Sequence, residues 1–411
     1  MERIGAADVW QSLGVDGTGV VVANIDTGVD YLHPDLQTRY RGYRGSSLPP
    51  LNAGNWFDAT GGGAQYPVDA NGHGTHTMGT MVGQNGLGVA PGARWIAVRA
   101  FSSNGIAQES WLHAAFQWIL APAGDPALAP DVVNNSWSSA NGSSTTFEPD
   151  IRLLVAAGIF PIFSAGNNGP DGKTVGSPGS LDIALAVGAT DPDDVIAWFS
   201  SRGPSPWGKI KPDVSAPGVN VLSTLPGGAY GTASGTSMAA PHVAGVAALL
   251  RQADPALSYT DTFRLITETT QPLGDPHPNN TYGWGLVNAY EAVQRAANAG
   301  LVVGRVTDGK SGDPIAGASV TFTPRYTGTA STTTTGGDGM YRRGLSAGAY
   351  NLRAAAFGYA PQTLFGVTVV TGTTITRNFA LSLLPTGALG GAIAEAGAER
   401  PLSATLFVGR T

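Results

Sequence analysis

Apolar positions along this chain follow two rhythms, and the change between them falls near residue 300. In the first part they come as unbroken runs. Val20-Val21-Val22-Ala23-Asn24-Ile25 leads into Asp26, Thr27 and Gly28. A strand open to water on one face would alternate apolar and polar residues, so a run of this kind predicts a strand covered on both faces. Similar runs stand at 95–101, 131–136, 160–164 and 183–187, and helical periodicities lie between them at 74–82, 108–120 and 149–157. Further helical stretches are predicted at 243–252, 261–269 and 287–299. Strand and helix in alternation predict an α/β fold, a mostly parallel sheet with helices on both faces. Reactive groups of such sheets gather at the carboxyl ends of the strands, which is where Asp26 stands.

From Leu301 the chain becomes rich in Thr, Val, Gly and Tyr, with short alternating runs at 302–306, 319–323, 350–354, 367–370 and 374–379. Turn signals such as Gly336-Gly337-Asp338-Gly339 separate them. This pattern predicts a small antiparallel β-sandwich attached at Ala299-Gly300. Gly304-Arg305-Val306 and Pro314-Ile315 recur at one common offset as Gly391-Ala392-Ile393 and Pro401-Leu402. A second copy therefore begins near Leu389 and is cut off at Thr411. The expected domains are 1–299, 300–385 and a truncated repeat or tail over 386–411.

Composition narrows the function classes. With 29 acidic against 23 basic residues and no basic cluster, nucleic acid and anionic membrane surfaces are not expected partners. The absence of cysteine removes disulfides, thiolate metal sites and cysteine nucleophiles together. No stretch is apolar for long enough to span a membrane. Met1-Glu2-Arg3 does not open a signal peptide, so any targeting segment is expected upstream or already removed.

Candidate chemistry converges on Gly235-Thr236-Ser237-Met238-Ala239-Ala240-Pro241-His242. Ser237 precedes an apolar helix, Gly235 permits a sharp turn ahead of it, and Pro241 is expected within the first helical turn. Free N–H groups and the positive dipole end there favour developing negative charge. A serine becomes a nucleophile only when a base takes its proton. Asn71-Gly72-His73-Gly74-Thr75-His76 supplies a histidine at a glycine-rich helix start, and the chain order of acid, base and alcohol is Asp26, His73, Ser237.

Here a family resemblance becomes specific. Asp26-Thr27-Gly28-Val29-Asp30, His73-Gly74-Thr75-His76 and the stretch around Ser237 resemble the three signatures of the subtilisin-like serine proteases, in their order, over about residues 4–299. Asn55-Trp56-Phe57-Asp58-Ala59, Gly88-Val89-Ala90-Pro91-Gly92-Ala93, residues 130–137 and residues 210–220 carry the likeness into one branch of that family.

The resemblance implies a secreted or cell-surface serine endopeptidase acting on proteins or peptides, with no cofactor needed for the chemistry and a pro-segment inhibitor as partner. Ser237 would attack the scissile carbonyl, His73 take its proton, and Asp26 orient the imidazole. Asn167, in Phe163-Ser164-Ala165-Gly166-Asn167, would hold the oxyanion together with the Ser237 N–H. Gly105-Ile106-Ala107 and Ser136-Trp137-Ser138 would sandwich an extended peptide. Gly176 would floor the first pocket with Asn168 at its rim and Gly166 beside it, favouring a large apolar P1 residue. Glu109, Leu112 and Trp137 would form the subsite three residues further out, where Glu109 adds a mild preference for a basic residue. Asp35 matches a calcium ligand of the family, while the loop that completes that site is shortened at residues 84–89.

Other readings stand beside these. His73 and His76 have the spacing of a metal pair but lack a third ligand in motif spacing. His76 and His242 are expected as packed helix residues, and His33, His113 and His277 as surface or loop histidines. Asp58 and Asp69 offer a second oxygen-ligand site or, more simply, are solvated loop acids. A lone Asp-Thr-Gly does not make an aspartic protease, which needs two. Two functional alternatives remain: a catalytically vestigial protease-fold scaffold and a narrow processing protease. Gly312-Asp313-Pro314-Ile315-Ala316-Gly317-Ala318, with Gly348-Ala349-Tyr350 and Gly358-Tyr359, resembles the carboxypeptidase regulatory-like β-sandwich, which implies no catalysis.

Overall fold

The run predicted at the start of the chain becomes strand β1 (Val21–Asp26), buried from its second residue to its last. In the computed structural model, which describes residues 1–297, 299–326 and 330–385, it lies inside a seven-stranded sheet. The other strands are β2 (Trp56–Asp58), β3 (Arg94–Arg99), β4 (Val132–Asn135), β5 (Phe160–Ser164), β6 (Leu185–Thr190) and β7 (Val214–Pro217). Their order is β2-β3-β1-β4-β5-β6-β7, and every pairing is parallel. Parallel neighbours require long crossovers, and the helices that form them cover both faces.

Those helices sort the core into two layers. On one face Val22 packs with Met78, Met81 and Val82 of α1 (His73–Val82). An alanine-rich stretch of α4 (Thr236–Ala253) joins them there. On the other face Ala23 and Ile25 pack with Phe116 and Ile119 of α2 (Glu109–Leu120) and with Ile151 and Leu154 of α3 (Glu148–Ala156). Alternate residues of β1 thus serve opposite layers, as the strand period of two demands. Helices α5 (Tyr259–Glu268) and α6 (Ala289–Ala297) complete the first layer, and the hairpin of β8 (Val221–Leu225) and β9 (Ala229–Ala233) stands apart from the main sheet. The chain leaves β1 for β3 on one side and later returns to pair β4 on the other. That reversal opens a crevice at the carboxyl ends of β1 and β4.

Helix α4 departs from the sequence expectation in one respect. It begins at Thr236, so Pro241 lies inside it, beyond the first turn. Proline has no N–H to bond the carbonyl four residues back, here that of Ser237. The deficit is met from outside the helix, because the Ser136 hydroxyl donates to the Ser237 carbonyl at 2.8 Å.

The chain divides into two compact units, one comprising Met1–Leu301 with Gly344–Ala347 and Val370–Thr373, the other starting at Val302. The second holds two four-stranded sheets. One is ordered β13-β10-β16, with β17 also on β10; the other is β12-β11-β14-β15. The strands are β10 (Ala299–Asp308), β11 (Ser319–Pro324), β12 (Ser331–Thr334), β13 (Met340–Ser346), β14 (Gly348–Ala355), β15 (Gln362–Val369), β16 (Thr374–Thr376) and β17 (Phe379–Leu381). Pairings of β11 with β12 and β14, and of β14 with β15, are antiparallel, while β17 runs parallel to β10. Val306, Val320, Phe322, Leu352, Ala354 and Phe379 are buried within it. The repeat expected over 386–411 lies outside the described residues.

One buried ion pair links strands at the far edge of the sheet. Lys211 is 1% exposed, and its ammonium donates to the Ala184 carbonyl at 2.6 Å and to Asp213 Oδ2 at 2.7 Å. The same Asp213 oxygen accepts the Ala186 N–H at 2.7 Å. Burial raises the Asp213 pKa above its ordinary range, and the Lys211 charge and that N–H oppose the rise without cancelling it. Removing one partner of such a pair strands the other in low dielectric at a cost of about 3–5 kcal/mol. Lys211→Met is therefore expected to lower unfolding free energy by about that amount in a denaturant titration, with Lys211→Met/Asp213→Asn recovering part of it. A loss below about 1 kcal/mol, the range of an exposed pair, would show that the ammonium does not hold these strands.

Candidate active site

Asp26 ends β1 and points into the crevice, buried at 2% exposure. Its Oδ1 accepts the Thr27 N–H at 2.7 Å and lies 2.7 Å from His73 Nδ1. Such a short contact to a carboxylate places the proton on Nδ1 and leaves Nε2 as the basic nitrogen. Burial disfavours the imidazolium. The Asp26 charge, its hydrogen bond and the more distant Asp69 charge together outweigh that burial, so the His73 pKa stands above the ordinary 6.5.

His73 opens α1, and the loop before it is built around Asp69. Expected as a solvated loop acid or a metal ligand, Asp69 is instead buried, and both oxygens are committed. Oδ1 accepts from the Thr27 hydroxyl and from the Asn71 and Gly72 N–H groups at 2.8–3.0 Å. Oδ2 accepts from the Thr75 N–H and hydroxyl at 2.9 and 2.7 Å. The carboxylate therefore caps free donors at the start of α1. Gly74 is required by close approach, since a Cβ there would meet the Gly28 carbonyl oxygen at 2.1 Å.

Ser237 is the second residue of α4. Its hydroxyl donates to the Ser136 carbonyl at 3.0 Å, and no hydrogen bond among the described residues joins it to His73. Ser136 itself lines the cleft with Asp26, Thr27, Asn71, His73, Phe101, Gly105 and Trp137. The serine hydroxyl is thus tethered to a wall of the cavity that holds the imidazole.

Asn167 is exposed after β5. Its Oδ1 accepts the Thr236 N–H and hydroxyl, both at 2.9 Å. With the oxygen committed, the Nδ2 donor is left without a bond among the described residues, next to the start of α4. Thr236 is a member of this arrangement that the sequence reading passed over; its place beside Ser237 was the available signal.

The remaining expected residues fall into distinct environments. Gly105 lines the cleft, Ile106 is 64% exposed, and Ala107 is half-buried against the layer of α2. Trp137 sits among Phe101, Phe116, Phe147 and Phe163, with ring centroids 5.7–6.0 Å away. Leu112 is buried in that layer, whereas Glu109 is exposed at the first position of α2. Gly176 is not open floor: a Cβ there would lie 2.4 Å from the Ser139 carbonyl oxygen and 3.0 Å from the Ser138 Cβ. Its role is to let residues 176–177 close against 138–139, which the antiparallel bridge Ser139↔Ser177 secures. Gly166 likewise faces the Ser201 and Ser138 hydroxyls, and the exposed Asn168 donates its N–H to Ser201 Oγ at 3.0 Å. Among the described residues, the atoms nearest a Cβ at either glycine belong to serines and Asn168, none of them ionised.

Asp35 is buried rather than poised for a metal. Its Oδ1 accepts from Asn85 Nδ2 at 2.7 Å and its Oδ2 from the Tyr230 hydroxyl at 2.9 Å. Each oxygen already accepts one hydrogen bond from the protein, so a calcium ion here would share the carboxylate with those donors. Among the described residues no group of three or more His, Cys, Asp or Glu could hold a metal.

One histidine expectation is corrected. His33 is buried, with Nδ1 accepting the Asp35 N–H and Nε2 3.0 Å from the Ala229 carbonyl. His113 is a surface residue of α2, its side chain 37% exposed and 2.9 Å from Asp150 Oδ2. His76 and His242 are packed helix residues; burial lowers the pKa of His76 and pushes that of His242 down to about 3, so His242 packs neutral.

The subtilase family model matches residues 17–285, and that of the carboxypeptidase regulatory-like domain matches 302–382. Bacillopeptidase F of Bacillus subtilis (strain 168) is 46% identical over 328 residues, which cover 75% of this chain and 23% of that protein. The chain thus spans under a quarter of that relative. Subtilisin E of the same strain is 36% identical over 294 residues, covering 70% of this chain and 69% of its own length. Subtilisin Savinase of Lederbergia lenta is 36% identical over 285 residues, covering 68% of this chain and 93% of its own length. The family model matches residues 17–285 and the two subtilisins align over 69% and 93% of their own length, so the chain belongs to the subtilase family of serine endopeptidases.

Proposed function

We propose that this chain is a secreted endopeptidase that cleaves peptide bonds through an acyl-enzyme on Ser237. The observation that carries the reading is the 2.7 Å contact between Asp26 and His73 Nδ1, in a cleft whose Ser136 wall also holds the Ser237 hydroxyl. His73 Nε2 takes the hydroxyl proton as the hydroxyl turns from the Ser136 carbonyl, and Ser237 Oγ adds to the scissile carbonyl. The oxyanion is met by Asn167 Nδ2 and the Ser237 N–H at the positive end of α4. The imidazolium then protonates the leaving amine, and water repeats the sequence in reverse. Asp26 keeps the imidazole in the productive tautomer and stabilises its charged form. Secretion is supported by relatives that include subtilisins. A separate pro-segment is the natural inhibitory partner of such a cleft.

Extended substrates would lie between Gly105-Ile106-Ala107 and Ser136-Trp137-Ser138, with P1 beside Gly166, Asn168 and Gly176. Uncharged walls suit a large apolar P1 residue. The aromatic set around Trp137, with Leu112, suits an apolar residue three positions further out, and Glu109 at the rim adds a mild basic preference there.

Three outcomes are expected. A fluorophosphonate probe should label the wild type and not Ser237→Ala; equal labelling of both would exclude Ser237 as nucleophile. His73 works as a neutral base, and its pKa is raised, so kcat/KM should fall as pH drops through a midpoint above 6.5. A midpoint at or below 6.5 would contradict the role given to Asp26. Gly176→Ala forces a Cβ into the Ser139 backbone and should cut kcat/KM for a P1 Phe anilide by roughly 10-fold or more, about 1.4 kcal/mol, with a smaller loss for P1 Ala. Equal losses on both substrates would remove Gly176 from the P1 pocket.

A further inference from the structure

A buried polar line runs behind the reacting groups, and the chemistry above leaves it unused. Asn24 and Asn134 are partners in the parallel pairing of β1 and β4. Each stands two residues before a cleft residue, Asp26 or Ser136, and so on the same face of the sheet. Both are fully buried, at 0% exposure. Asn24 Oδ1 accepts from Asn134 Nδ2 at 3.0 Å. Asn24 Nδ2 donates to the Gly74 carbonyl at 3.1 Å and to the Thr77 hydroxyl at 2.8 Å, both in α1. Asn134 Nδ2 also donates to Ser136 Oγ at 2.9 Å, and that hydroxyl donates to the Ser237 carbonyl at 2.8 Å. A continuous set of hydrogen bonds therefore joins the helix that His73 opens to the helix that carries Ser237.

Two buried amides are costly where valines would pack, since their hydration must be replaced inside the protein, and Asn134 Oδ1 finds no partner among the described residues. Apolar packing is non-directional, whereas a hydrogen bond fixes distance and angle. We propose that Asn24 and Asn134 are positioning residues that set the approach of the Ser237 helix to the His73 helix, and through it the rate of acyl transfer. The proposal rests on the assignment of Ser237 and His73 given above. Its prediction is a defect in kcat per active site, distinct from loss of fold or of substrate binding.

The test is Asn24→Val in the full chain, assayed with a tetrapeptide anilide after titrating active sites with the fluorophosphonate probe. Misplacement of reacting groups by about 1 Å can cost on the order of 100-fold. A fall of roughly 10- to 100-fold in kcat per titrated site, with KM within about twofold, is expected on that scale. Should Asn24→Val fail to fold, Asn24→Val/Asn134→Val leaves no amide unpaired and reads the same quantity. An unchanged kcat per titrated site, or a change confined to KM, would overturn the positioning role while Ser237 labelling still stands. Absence of Ser237 labelling in the wild type would overturn both assignments.

Discussion

The site depends on one short contact, that between the Asp26 carboxylate and the His73 imidazole. A buried carboxylate at 2.7 Å fixes which ring nitrogen bears the proton and holds the ring's plane. The contact is possible because Asp26 ends the strand at which the strand order reverses and His73 begins a helix packed on that sheet. Burial alone would make the imidazole a poorer base. The carboxylate reverses that balance, so one residue sets both geometry and proton affinity.

Around that contact, several buried charges are held by hydrogen-bond partners that converge on them. Asp69 receives five hydrogen bonds from backbone and hydroxyl groups, and Lys211 spans a carbonyl and a carboxylate. Asp35 is satisfied by an amide and a phenol. Asp69 and Asp35 are carboxylates that the sequence offers to a metal, and in both the oxygens accept hydrogen bonds from the chain itself. The difference lies in tertiary neighbours such as Tyr230, far away in sequence.

Much of the first unit was legible because its strands are covered on both faces. Unbroken apolar runs announced β1, β3, β4 and β5, and the predicted 160–164 coincides with Phe160–Ser164. The strand predicted at 183–187 slid to Leu185–Thr190, since Ile183 and Ala184 are apolar without being paired. Three-residue β2 has too little length for any periodicity, and β7 carries a proline that argues against a strand. In the second unit β12 is only serine and threonine, which gives no apolar signal at all. Among site residues, the local motifs around Asp26, His73 and Ser237 could be read directly. The bonds from Thr236 to Asn167 and from Ser136 to Ser237 span 69 and 101 residues, and no short window contains them.

Pro241 gives the start of α4 an unusual mechanical connection. In an ordinary helix the carbonyl of the second residue is held along the axis by the next turn, and the end can fray on its own. Here that carbonyl is held sideways, by a hydroxyl at the tip of β4. Lifting the first turn of the helix therefore means detaching it from the sheet. The serine is anchored to the central sheet, although it is carried by a helix terminus, ordinarily among the looser parts of a fold.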